Sequence, residues 1–140
     1  MYSALQSAHS IFAYIVLSIL FLAAINAIIG ITSKKIFTTK DLRISLFALI
    51  LSHFQLLLGF VLYFVSPLGS ASLGNMDKAF RLTSLEHPLI NIIAIALITI
   101  GWSKHKKEES NNGKFKKIGI FYTIGFLLIL SRLPWANWLN

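Results

Sequence analysis

Four long apolar runs, separated by three polar connections, leave this chain almost no material for anything except membrane helices. The runs are Ile11–Ile31, Ile44–Val65, Leu85–Trp102 and Ile118–Trp138. Each holds about 18–22 residues, close to the ~20 that a helix needs to cross ~30 Å of hydrocarbon. Only 13% of the 140 residues are charged, where a soluble domain carries about a quarter. The sequence therefore predicts an all-α fold with one integral membrane domain over 1–140. The helices are expected at about 8–31, 44–66, 85–102 and 118–138. The third run is the shortest. It reaches spanning length if its helix starts near Ser84 as cap, with Pro88 in the first turn where its missing N–H does no harm.

The net charge of +8 does not indicate nucleic-acid binding, because the charges are sorted by loop. Lys34, Lys35, Lys40 and Arg43 lie between the first two runs. Lys104, Lys106, Lys107, Lys114, Lys116 and Lys117 lie between the last two. The connection between runs two and three carries only Lys78 and Arg81. Basic loops stay on the cytoplasmic side. The expected topology is thus a four-helix antiparallel bundle in a bacterial inner membrane with both termini outside, in the periplasm. Trp135 and Trp138 fit an outer aromatic belt and Trp102 an inner one. The first run lacks a basic n-region and a small-residue cleavage site, so it reads as a retained helix. The chain has no cysteine. That excludes disulfides, iron–sulfur clusters, c-type haem attachment and thiolate zinc sites.

Short connections favour up-down-up-down order, with helices one and three diagonally opposite. Helix three carries His87, Asn91, Ala94, Ile98 and Gly101 on one stripe. Helix one does the same with His9, Ala13, Val16, Leu20, Ala23, Ala27 and Gly30. Helix two has Ser45, Ala48, Ser52, Gln55 and Gly59 on a stripe, while His53 shares another with Leu49, Leu56, Leu57 and Phe60. Small residues let helices pack closely; they equally leave a slot for a flat macrocycle. The His53 stripe suits either the flank of such a group or a leucine-rich core.

Three of the four histidines lie in or beside the apolar runs. An ionisable group in a bilayer is costly and tends to be kept for a partner or a task. Histidine is also a common haem ligand. A bis-histidine haem b needs two imidazoles on opposite sides of one iron. At 1.5 Å per residue, His53 lies roughly 15 Å from Arg43 and His87 roughly 25 Å from Lys104, with His9 higher still. The pairs His53–His87 and His9–His87 are therefore each out of level by about 10 Å or more, which tilt partly absorbs. His87 belongs to both. His105 falls in the basic loop and is expected to be solvated. Arg81 and Arg132 lie near the outer rim, either as cationic partners for haem propionates or as ordinary snorkelling residues. Glu86, beside His87, is placed to orient the imidazole, share its proton, or serve a quinone site near the outer surface.

Several segments resemble a family of small four-helix membrane proteins of Bacteroidetes commonly labelled "cytochrome B". They are Ala8-His9-Ser10, the stretch Ser52-His53-Phe54-Gln55-Leu56-Leu57-Leu58-Gly59, Leu62-Tyr63-Phe64-Val65-Ser66-Pro67, and Arg81 followed by Glu86-His87. Leu97-Ile98-Thr99-Ile100-Gly101 and Phe121-Tyr122-Thr123 are similar too. The resemblance implies haem b electron transfer and supports His9, His53 and His87 as the polar residues of interest, without choosing the pair.

Two classes of function follow. One is a redox module with haem b, exchanging electrons with a quinone or a larger respiratory complex. The other is a haem-free accessory subunit of a multi-subunit membrane complex. So little mass outside the lipid calls for a larger complex or a homo-oligomer under either reading. An electron carrier or accessory subunit is expected rather than a stand-alone enzyme; no nucleophile triad or paired catalytic carboxylates appear.

Overall fold

A computed structural model describes residues 1–138. It contains four long helices: α1, Tyr2–Thr32; α2, Thr39–Val65; α3, Lys78–Lys107; and α4, Asn111–Ser131. A single turn, α5, follows at Trp135–Trp138. No strand occurs among the described residues. α1, α2 and α3 are long and apolar enough to cross a membrane. α4 has 21 residues, but its first turns carry Lys114, Lys116 and Lys117.

The helix ends differ from expectation for local reasons. α2 begins before the apolar run because Asp41 accepts from both the N–H and the hydroxyl of Thr38, at 2.8 and 2.9 Å. That closes the first turn. α4 begins at Asn111 because the Ser110 hydroxyl accepts the Gly113 N–H at 2.9 Å. It stops at Ser131 instead of running to Trp138. Pro134 disfavours helical backbone at Leu133 and cannot itself donate to the ladder. Beyond the end of α1 at Thr32, Lys34 turns the chain in the left-handed region at φ 51°, and Lys35 N–H returns to the Gly30 carbonyl.

The largest difference lies in α3. Ser84 does not cap it. The helix starts at Lys78 and passes through a π-helical turn, Leu82–Glu86, before resuming at His87. The cause is Pro88. It has no N–H to give to the Ser84 carbonyl, so an unbroken α-helix would leave that oxygen unpaired. The Tyr63 hydroxyl of α2 donates to it instead, at 2.9 Å. His87 N–H reaches back to Leu82, the longer π spacing.

α1 packs on α2 and α4. α3 packs closely on α4 and more loosely on α2. The small-residue stripes face inward: Leu20, Ala23, Ala27, Ala48, Ala94 and Ile98 are buried. A β-carbon on Gly101 would lie 2.4 Å from that of Phe121, and one on Gly125 would lie 2.7 Å from Ile98. α3 and α4 meet there at backbone distance, as membrane helices do. The opposite faces expose large apolar side chains such as Phe47, Ile50, Phe54 and Leu57, each half exposed or more. Such a surface suits lipid rather than water. Polar ties across the bundle include Asn26 to Asp41 at 2.8 Å, Tyr122 Oη to the Ser45 carbonyl at 2.7 Å, and Phe37 N–H to Asn111 at 3.0 Å.

Candidate functional site

The start of α1, the end of α2, the first turns of α3 and the end of α4 enclose a cavity of about 210 Å³. Its walls are mainly apolar, from residues such as Val16, Leu56, Ile95 and Ile129. A few polar groups converge on it: His9, Ser52, Gln55, His87 and Asn91. An apolar hollow with a small set of placed polar groups is the usual form of a ligand site.

His9 and His87 face each other here. Their ring centres are 6.3 Å apart and their planes cross at 83°. Two imidazoles on opposite sides of one metal, with metal–nitrogen bonds of ~2.0–2.1 Å and about 1 Å from nitrogen to ring centre, have centres roughly 6 Å apart. The observed pair has that separation. The level mismatch expected from sequence largely disappears once the true helix ends are used. Counted from Thr32 and Lys107, His9 and His87 stand at roughly 34 and 30 Å.

Each imidazole is held by its neighbours. His87 Nδ1 lies 3.0 Å from the Arg132 carbonyl. A carbonyl only accepts, so Nδ1 carries the proton and Nε2 keeps its lone pair. Asn91 Nδ2 donates to the His87 carbonyl at 2.6 Å, and the same nitrogen lies 3.2 Å from His87 Nδ1. His9 lies over Gly59: a β-carbon there would come within 3.2 Å of His9 Cε1. Gln55 Nε2 donates to the His9 carbonyl at 2.7 Å. Two atoms of this group are buried with no hydrogen-bond partner, His9 Nδ1 and Gln55 Oε1. Unpaired buried polar atoms cost about 1–3 kcal/mol each, so both mark a place where a ligand would be favourable.

Glu86, Arg81 and Arg132 form an ion cluster at the rim. Arg81 Nε is 2.7 Å from Glu86 Oε2, and Arg132 Nε is 3.6 Å from Oε1. Each guanidinium has its Nε against the carboxylate, and Arg132 Nη1 also donates to the Ser131 carbonyl at 2.8 Å. Glu86 acts on Arg81 and Arg132, and it is the Arg132 carbonyl that orients His87. The cluster ties the π turn of α3 to the end of α4.

His53 stands apart. Its Nδ1 donates to the Leu49 carbonyl at 2.8 Å, and its Nε2 lies 3.3 Å from Thr99 Oγ1. It is exposed on the outer groove between α2 and α3, not on the cavity. His105 corrects the expectation of a solvated side chain: it is only 1% exposed. Phe37 and Trp102 cover it, with ring centres at 5.5 and 4.5 Å. Among the described residues, no three His, Cys, Asp or Glu side chains are grouped to share a metal ion.

Sequence patterns placed Gln55 and Asn91 on inward stripes without showing what they bond. Tyr63 and the Arg132 carbonyl carry no such signal, since their roles depend on contacts between distant segments. No family model, curated protein or solved structure matches the chain. The resemblance to the small Bacteroidetes proteins therefore rests on the short segments quoted above.

Proposed function

We propose that this chain is a small membrane electron-transfer module holding one haem b between His9 and His87. The observation that supports the reading most is the 6.3 Å separation of the two imidazoles; the cavity between the helices, about 210 Å³, has to widen to take a macrocycle. When bound, such a haem supplies one-electron exchange between ferric and ferrous iron. The chain's own residues do the rest. The Arg132 carbonyl fixes the His87 tautomer and raises the basicity of Nε2, the usual second contact of a metal-binding histidine. Gly59 leaves room for His9. The cavity walls are mainly apolar.

The proposed setting is a bacterial inner membrane crossed four times by alternating helices, with both termini periplasmic. The cavity then lies in the outer half of the bilayer, open to exchange with the quinone pool or a larger complex.

The test is a visible spectrum of protein expressed with added haem and extracted gently, oxidised and then reduced with dithionite. Wild type is expected to show a b-type difference signal. His87→Ala and His9→Ala should each abolish most of it, whereas His53→Ala and His105→Ala should keep it. A wild-type preparation with no Soret band rejects the proposal.

A second reading is favoured by the volume and by the two unpartnered atoms. A cavity of about 210 Å³ is somewhat larger than the ~150 Å³ that accepts benzene. It suits a substituted ring bearing carbonyl or hydroxyl groups, such as a quinone headgroup, with His9 Nδ1 and Gln55 Oε1 as its partners. Organic extraction of the colourless protein would then release a stoichiometric quinone. If neither group is found, the haem-free accessory subunit is the reading that stands.

A further inference from the structure

The end of the bundle remote from the His9–His87 cavity brings the two basic loops together. Phe37 N–H donates to Asn111 Oδ1 at 3.0 Å, so the α1–α2 connection lies against the start of α4. Between them these loops and helix ends carry ten basic residues and three acidic ones, Asp41, Glu108 and Glu109. Asp41 is taken up by Thr38 and Asn26, and Glu108 lies 3.8 Å from Lys117. Basic residues thus outnumber acidic ones at this end by ten to three.

Within this end is a shallow, open recess lined by Phe37, Thr38, Thr39, His105, Lys106 and Lys114 among others. Its apolar side is built. Phe37 stacks on Phe115 at 5.0 Å and on the buried His105 at 5.5 Å. Its cationic side is held in place. Lys114 Nζ donates to the His105 carbonyl at 3.1 Å and lies 5.9 Å from the Phe37 ring centre. Lys106 Nζ stands 6.0 Å from the Trp102 ring centre. Cations over aromatic faces are attracted by the ring quadrupole.

We infer that this recess binds the headgroup phosphate of an anionic phospholipid, with Lys106 and Lys114 as its cationic contacts. The inference stands apart from the haem reading. It rests on charge complementarity and on level: the apolar stretch of α3 ends at Trp102, a residue type that settles at the headgroup layer. Basic recesses between membrane helices on the cytoplasmic side suit acidic headgroups. A free anion would meet the lysines equally well but would leave Phe37 and Leu42 facing water. A lipid covers them with its own glycerol and acyl carbons.

The experiment uses the full chain in nanodiscs with Trp135 and Trp138 replaced by Phe, leaving Trp102 as sole tryptophan. Its fluorescence is quenched by phospholipids brominated near the top of the acyl chain, in a zwitterionic host bilayer. Brominated phosphatidylglycerol should quench at several-fold lower mole fraction than brominated phosphatidylcholine. Lys106→Gln and Lys114→Gln should each reduce that preference about fivefold, from ~1 kcal/mol per basic residue near the surface. Lys34→Gln and Lys116→Gln, in the same loops but not lining the recess, should leave it within a factor of two. Equal quenching by the two lipids overturns the inference, and that comparison needs no lysine variant. An equal effect of all four lysines also overturns it, since the charge then acts only as a diffuse field. Loss of the preference on adding millimolar inorganic phosphate at constant ionic strength assigns the recess to a soluble anion and overturns the lipid.

Discussion

His9 has a ring in the right place only because residue 59 has no side chain. A β-carbon on Gly59 would come 3.2 Å from His9 Cε1, tighter than ordinary contact, so the imidazole must shift by a few tenths of an ångström. Gly59→Ala separates two effects. Alanine is the better helix former by ~0.8–1 kcal/mol, so α2 should lose no stability, and thermal unfolding in detergent should be unchanged or slightly raised. Haem retention, read as the Soret-to-protein ratio, should nevertheless fall several-fold, and Gly59→Val should abolish it. Unchanged retention in Gly59→Val would show that His9 does not act from its present position. The inward placement of Gly59 is readable in sequence, as one member of the stripe Ser45, Ala48, Ser52, Gln55 and Gly59. That the residue above it is a histidine of another helix is not. Stripes report which face turns inward, and the neighbour across the gap follows only from three-dimensional packing. The reverse holds for His105. Its place in a lysine-rich stretch suggests water, yet Phe37, from the other basic loop, closes over it.

At the scale of the element, the π turn in α3 decides where His87 points. Removing Pro88 alone gives residue 88 an N–H that can compete for the Ser84 carbonyl, and Tyr63 already donates to that oxygen. Tyr63→Phe in the native background should cost about 1 kcal/mol, because the carbonyl is then left without a donor inside the bundle. Pro88→Ala supplies an alternative donor. The double variant Tyr63→Phe/Pro88→Ala should therefore be less destabilised than the sum of the two single changes. The check is a double-mutant cycle of unfolding midpoints in a mild detergent. Strict additivity would show that the tyrosine and the proline gap are unrelated. The proline, its position and the tyrosine are all visible in the sequence, and reading Pro88 as a first-turn residue is sound by local rules. Local rules fail here because the free carbonyl is satisfied from α2, so the helix need not end where its hydrogen-bond ladder is interrupted. α4 shows the opposite case. There the Leu130 carbonyl, which Pro134 cannot serve, takes the Trp135 indole N–H at 3.0 Å, and the helix still ends at Ser131.

For the whole molecule, four long helices, three of them long and apolar enough to cross a membrane, follow from apolar run length and are legible in the sequence. Helix limits are less so, because capping by Thr38 and Ser110 extends α2 and α4 into polar sequence. Topology is the remaining step, and it bears on both ends of the molecule. The Phe37–Asn111 hydrogen bond joins the two basic connections. The His9–His87 and His87–Arg132 contacts join the start of α1, the start of α3 and the end of α4. Charge sorting is the argument for the proposal that the basic end faces the cytoplasm. The chain has no cysteine, so single cysteines report position without interference. Ser3→Cys and Ala71→Cys should react with a membrane-impermeant maleimide on intact cells. Asn112→Cys should react only after the membrane is opened. Labelling of Asn112→Cys together with Ser3→Cys on intact cells would refute the alternating topology. Labelling of Asn112→Cys alone would instead invert it, moving the His9–His87 cavity to the cytoplasmic half. The arrangement proposed here requires both outer positions to be reached first and the loop before α4 to stay protected.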